Sequence, residues 1–171
     1  MIDPNTAPDG EEYLSYCRRR WGGDGWTNSM RRMGKHEGVP YAKWLTWPNT
    51  THCSRLLLRA EKFGLADKTI GLLYDMCYEQ GENVSLRDTV ARAATEAGIP
   101  GGDAYIKSDE GLAELQQELQ TATVNGKRIS AAPTFGIRAG RAVHDFSGAQ
   151  DYDTWVDILA QCAELAKGAR Q

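Results

Sequence analysis

No two of the four cysteines, Cys17, Cys53, Cys77 and Cys162, are close neighbours; their successive separations are 36, 24 and 85 positions. That spacing rules out a CxxC redox motif within this sequence and fits no zinc-ligand pattern. Four in 171 residues is also too sparse for a disulfide-stapled scaffold. Long apolar runs are missing, since 18 apolar residues nowhere follow one another, and no membrane-crossing helix is expected. The opening "MIDPNTAPDG" has neither the basic nor the apolar region of a secretory leader, so a cytoplasmic chain with no membrane partner is expected. No charge sign dominates. Twenty Lys and Arg stand against 23 Asp and Glu, and the basic groups Arg18 to Arg20 and Arg31, Arg32 have acids nearby, which argues against nucleic acid. His36, His52 and His144 are scattered, and adjacent His52 and Cys53 point to different sides of a helix, so no metal and no cofactor are expected. No Gly-rich phosphate loop, Ser/His/Asp set or internal repeat is visible.

What is present is helical periodicity, in a chain with 41% hydrophobic residues and length enough to bury a core. "EEYLSYCRRRWGG" predicts a short helix with two acids in its first turn and an apolar face of Tyr13, Leu14, Cys17 and Trp21. Trp26 to Glu37 predicts a second, whose Trp26, Met30 and Met33 read as core packing. A third, from about His52 to Phe63, takes its N-cap from Asn49, Thr50 or Thr51 and ends at Gly64. "LADKTIGLLYDMCYEQG" aligns Ile70, Leu73, Tyr74, Cys77 and Tyr78, which makes Cys77 a buried thiol. "SLRDTVARAATEAGI" sets Ser85 and Asp88 at capping-box spacing and turns Leu86, Val90 and Ala94 inward. "SDEGLAELQQELQTATV" closes the series, with Lys107 to Glu110 read as a solvated helix start. Leu56, Leu57, Phe63, Leu72, Leu73 and Leu86 should give residues 45 to 124 a core of their own.

The period then changes. Thr134 to Arg138 and Arg141 to Asp145 around Ala139-Gly140 predict a β-hairpin. Trp155, Ile158, Leu159, Cys162 and Leu165 predict an amphipathic C-terminal helix with Cys162 inward.

Several short patterns occur in a fixed order: Pro48, Asn49 and Thr50 followed by Arg55 and Leu56, "SDEG" (Ser108 to Gly111), "ISAAPTF" (Ile129 to Phe135) and "SGAQ" (Ser147 to Gln150). The set resembles the DsbA-like thioredoxin-domain family, in particular its FrnE-type branch, whose relatives include hydroxychromene carboxylate isomerases, and it extends from about Met1 to Leu159. The resemblance implies an α/β, thioredoxin-like fold, incomplete at its N-terminus, with a large all-helical insertion. Residues 1–10 would be a remnant of the N-terminal thioredoxin half, 11–124 the insertion, and 125–171 the closing hairpin and helix. It further implies that Pro133 follows a cis bond opposite the family's redox site, and that Ala132 offers its backbone to an extended substrate or glutathione, with Pro133, Thr134 and Asn49 beside it.

Two departures qualify that implication. The strand and CxxC-bearing helix that open the family's fold are not found before "MIDP", so a redox-inactive chain is expected, without the nucleophile of a thiol-disulfide oxidoreductase. Cys53 stands where relatives carry Ala; it is the one candidate substitute nucleophile, against the plainer reading of a space-filling thiol. The other departure lies before the proline, where the family's Gly-Val-x-Gly-Val reads Arg128-Ile129-Ser130-Ala131-Ala132, so that both glycines are gone. Three readings remain open: the shortened product of a longer oxidoreductase gene, a non-redox module binding a peptide or partner, and a glutathione-using isomerase or transferase. A strand edge left open at Thr134 to Arg138 suggests a homodimer.

Overall fold

The computed structural model describes residues 5–124, 126–129, 131–139 and 142–168. Strand β1 (Glu11–Glu12) runs directly into α1 (Tyr13–Trp21), and α2 (Trp26–His36) leads to β2 (Thr46–Trp47). Four helices follow in the order α3 (Thr51–Glu61), α4 (Ala66–Tyr74), α5 (Arg87–Ala97) and α6 (Gly102–Lys107), with a π-helical turn, Asp75–Glu79, continuing α4. After α7 (Leu112–Thr121) come β3 (Thr123–Val124), β4 (Lys127–Arg128), β5 (Thr134–Ala139), β6 (Ala142–Ser147) and α8 (Tyr152–Gly168). The chain divides into two compact units, with the division after Gln116, inside α7.

In the first unit β1 and β2 pair antiparallel, Glu11 opposite Trp47 and Glu12 opposite Thr46. The two acids therefore do not occupy a first helical turn. Glu12 is the N-cap of α1, its carboxylate accepting from the Leu14 and Ser15 amides at 3.1 and 2.7 Å. Tyr16 is buried on α1, whereas Trp21 is half exposed. On α2 the predicted stripe is displaced: Thr27 and Gly34 are buried and Met33 is exposed. The expected face of α4 also shifts. Tyr74 is exposed, and the π-turn after it inserts one residue, which lets Met76 and Cys77 both face the core. The Ser85–Asp88 capping box does not form, because the Ser85 hydroxyl accepts from the Asn49 amide instead. Leu86 and Phe63 are exposed rather than inward. Leu56, Leu73, Val90, Ala94 and Ile106 join Tyr13, Trp44 and three of the cysteines in one core.

In the second unit β5 and β6 form a hairpin whose register pairs Thr134 with Ser147 and Ala139 with Ala142. The connection is thus one residue later than the predicted Ala139-Gly140, at positions 140 and 141, which lie outside the described residues. Phe135 and Phe146 stack at 5.2 Å, and Trp155 of α8 meets both edge-on. Cys162 is buried on α8 as expected, while Leu159 and Leu165 of the predicted apolar face are exposed. The first four residues of the expected N-terminal remnant lie outside the described residues.

Candidate functional site

The proline turn is built by the residues that follow it. The Ala132-Pro133 peptide is cis, as the resemblance implied, and Ala131 and Ala132 are exposed. Thr134 Oγ1 donates to the Ala131 carbonyl at 2.6 Å and lies 3.0 Å from Ser147 Oγ. Gly148 N–H donates to the Pro133 carbonyl at 2.9 Å. "SGAQ" is therefore the clasp of the proline turn, which explains why the two patterns occur together.

That last bond also fixes the phase of the hairpin. Hydrogen-bonded pairs alternate along an antiparallel ladder. Because Pro133 bonds to Gly148, Phe135 and Ile137 exchange bonds with β6, and the amides of Thr134, Gly136 and Arg138 face the other edge. Among the described residues the sheet containing β5 has two strands, and β3 lies beside β5 without pairing into its ladder, so the outward amides have no ladder partner.

Asn49 and Cys53 belong to the first unit. Asn49 is tied into its scaffold: Nδ2 donates to the Thr6 carbonyl at 3.3 Å, and Oδ1 accepts from the Thr51 amide and hydroxyl at 3.2 and 2.7 Å. Cys53 Sγ donates to the Val84 carbonyl at 3.2 Å. Burial, with a smaller contribution from Cys77, pushes the Cys53 thiol up to about 12, and burial alone does the same to Cys77. Burial also raises Cys17. A reactive cysteine needs the opposite shift, and all four cysteines are free and buried.

One arrangement went unread in the sequence. The guanidinium of Arg55 is fully buried and donates to the carbonyls of Tyr105, Ser108 and Glu110, at 2.9, 2.8 and 3.0 Å. It also lies over the Tyr105 ring. Arg87 grips the same loop from outside, through the Ser108 carbonyl at 2.8 Å and the Asp109 carboxylate at 2.6 Å. Ser108 to Gly111 is thus a loop held by two arginines, while Lys107 to Glu110 stay exposed just ahead of α7, as the reading of a solvated helix start expected. The available signal was Arg55 itself, a charge set among inward residues beside Leu56. Gly111 has φ +79, and a Cβ there would collide with the Tyr105 hydroxyl. Among the described residues no three His, Cys, Asp or Glu side chains cluster to hold a metal, and no helix is long and apolar enough to cross a membrane.

The model of the DSBA-like thioredoxin domain matches residues 22–160. Among solved structures, a probable DsbA oxidoreductase from Streptomyces coelicolor superposes with a TM-score of 0.71 at 17% identity, covering 94% of this chain and 71% of that one. No curated protein matches. The likeness to the solved structure shows a thioredoxin-like fold of mixed helix and strand, and the match over 22–160 shows that the chain belongs to the DSBA-like thioredoxin domain family.

Proposed function

We propose that this chain holds an extended peptide or thiol substrate along Ala132, Pro133 and Thr134 and the open edge of β5, within a family of thiol-disulfide oxidoreductase type, and that its own four cysteines do not carry the exchange. The observation behind this reading is the row of outward amides at Thr134, Gly136 and Arg138, which ends at an exposed turn. An extended backbone adds to such an edge as a further strand. Cys53, with its thiol held protonated, acts as a space-filling core residue. Residues 125–171 are read as the closing half of the thioredoxin fold and 11–124 as its helical insertion. The order of motifs supports the FrnE-type branch, and four free thiols suit a reducing, cytoplasmic setting. In the absence of substrate, a second copy takes the β5 edge and makes a homodimer.

Dithiol-dependent insulin reduction tests the redox part. The chain and its quadruple Cys→Ser variant are expected to give the same rate, and a rate that depends on Cys53 would promote that thiol to nucleophile. Amide NMR with a cysteine-free extended peptide tests the binding part. Shifts should cluster at Thr134, Gly136 and Arg138, and their absence at millimolar peptide would remove the edge as the binding site.

A further inference from the structure

Within the first unit, and independent of the proline turn, lies a cavity of about 510 Å³ walled by the rings of Tyr41, Trp44, Tyr74 and Tyr78, with Asp75 and Glu79 at its border. Its volume falls in the range of small-molecule sites. Three local irregularities converge on it. Tyr41, at φ 53, is the one non-glycine residue with positive φ among the described residues. It is held there by Glu79, whose carboxylate accepts from the Tyr41 and Ala42 amides at 2.8 and 3.1 Å. Gly34 is buried in α2, and a Cβ there would stand 2.6 Å from the Tyr41 ring and 2.3 Å from the Val39 carbonyl, so only glycine lets that ring lie where it does. The π-turn brings Asp75, Tyr78 and Glu79 together at the cavity. Such irregularities are retained where the surroundings over-determine them, and they concentrate at binding sites.

The electrostatics select the ligand. Ring pairs here meet edge to face or tilted, Tyr41–Tyr78 at 5.4 Å, Trp44–Tyr78 at 4.8 Å and Tyr74–Tyr78 at 5.6 Å. Ring faces carry partial negative charge. Neither Asp75 nor Glu79 has an ion-pair partner among the described residues; Asp75 accepts from the Gln80 amide, and each carboxylate keeps lone pairs to spare. An anion is repelled from both walls and border, and a neutral apolar molecule leaves two carboxylates unused. We propose that this cavity binds an organic cation, an ammonium group of tertiary or quaternary type carried on an apolar body. The cation lies against the ring faces with its charge toward Asp75 and Glu79.

Calorimetry with benzyltrimethylammonium is the test, set against 2-methyl-1-phenyl-2-propanol, a neutral molecule of nearly the same shape. The cation should bind saturably and at least about tenfold more tightly than the alcohol. Its methyl proton resonances should move upfield under the ring currents. Asp75→Asn should weaken the cation about tenfold and leave the alcohol unchanged. Because Glu79 also holds the Tyr41 turn, Tyr74→Ala, at an exposed ring, serves as the second variant and should weaken the cation without changing the urea midpoint. Equal affinity for the two probes, absence of saturable binding of the cation, or binding untouched by both variants would overturn the proposal.

Discussion

At the scale of the residue, Arg55 and His52 decide how the first unit holds its loop. A buried guanidinium is tolerated only because carbonyls at the C-terminal end of α6 and the loop beyond it point at it, where the helix dipole favours a cation. Lysine would keep the charge but not the fork that reaches several carbonyls at once. Arg55→Lys should therefore lower stability by about 2 kcal/mol or more in urea unfolding, and a change under about 0.5 kcal/mol would show that the fork is dispensable. Arg55 Nη1 lies 3.1 Å from His52 Nδ1. Arginine can only donate, so Nδ1 accepts and His52 is neutral with its proton on Nε2. Burial first, then Arg87 and Arg55, hold its pKa below the ordinary 6.5. Between that depressed value and 6.5 the unfolded chain binds more protons than the folded one, so stability rises with pH. The contribution of His52 is complete above 6.5 and is lost as the pH falls toward the depressed value. Urea midpoints measured from about pH 7.5 down to about pH 5 should fall more steeply for the native chain than for His52→Gln. Identical slopes would mean that His52 titrates alike in both states.

At the scale of the element, packing confirms the helices that periodicity predicted and moves several of their faces. Leu73 is buried, and Leu73→Ala should cost about 2–5 kcal/mol. Leu86→Ala, at a position that the same periodicity turned inward but packing leaves exposed, should stay within about 0.5 kcal/mol. Leu86 is the N-cap of α5 rather than part of its buried face, and next to it Ser85 engages Asn49, a tertiary bond that no local pattern announces. Hydrophobic periodicity assumes an unbroken 3.6-residue helix, so one inserted residue rotates everything after it. Gly34 and Gly71 make the same point as a matched pair. Both are helical, yet a methyl at Gly71 meets nothing within 4 Å, while one at Gly34 meets a carbonyl and a ring. Gly71→Ala should stabilise by about 0.5–1 kcal/mol through the unfolded state, and Gly34→Ala should destabilise by about 1–3 kcal/mol. Thermal denaturation of the two variants side by side reads both signs.

At the scale of the whole molecule, the family and the class of fold were legible from short patterns in a fixed order, although identity to a solved structure of the same fold is 17%. The clasp between Thr134 and Ser147 and the grip of Arg55 on Ser108 show why those patterns travel together: each joins residues distant in the chain. The phase of β5 was not legible, since only the Gly148 to Pro133 bond reveals which amides look outward. That phase determines how self-association can be tested. A two-stranded hairpin is marginal by itself, and an open edge is a template for another strand. If a second copy pairs at the Thr134, Gly136 and Arg138 amides, the contact is two-fold and antiparallel by default. Ile137 is the wrong place to break it, because its amide faces β6 and a proline there would dismantle the hairpin itself. Gly136→Pro removes an outward donor from the middle of the edge and leaves the β6 ladder intact, a placement proline tolerates on an edge strand. Sedimentation equilibrium at micromolar concentration should give a dimer of 18.9 kDa chains, a monomer for Gly136→Pro with the same circular dichroism, and dissociation of the native dimer by excess extended peptide. A monodisperse native monomer would sink the dimer, and a Gly136→Pro chain that still dimerises would move the interface off this edge.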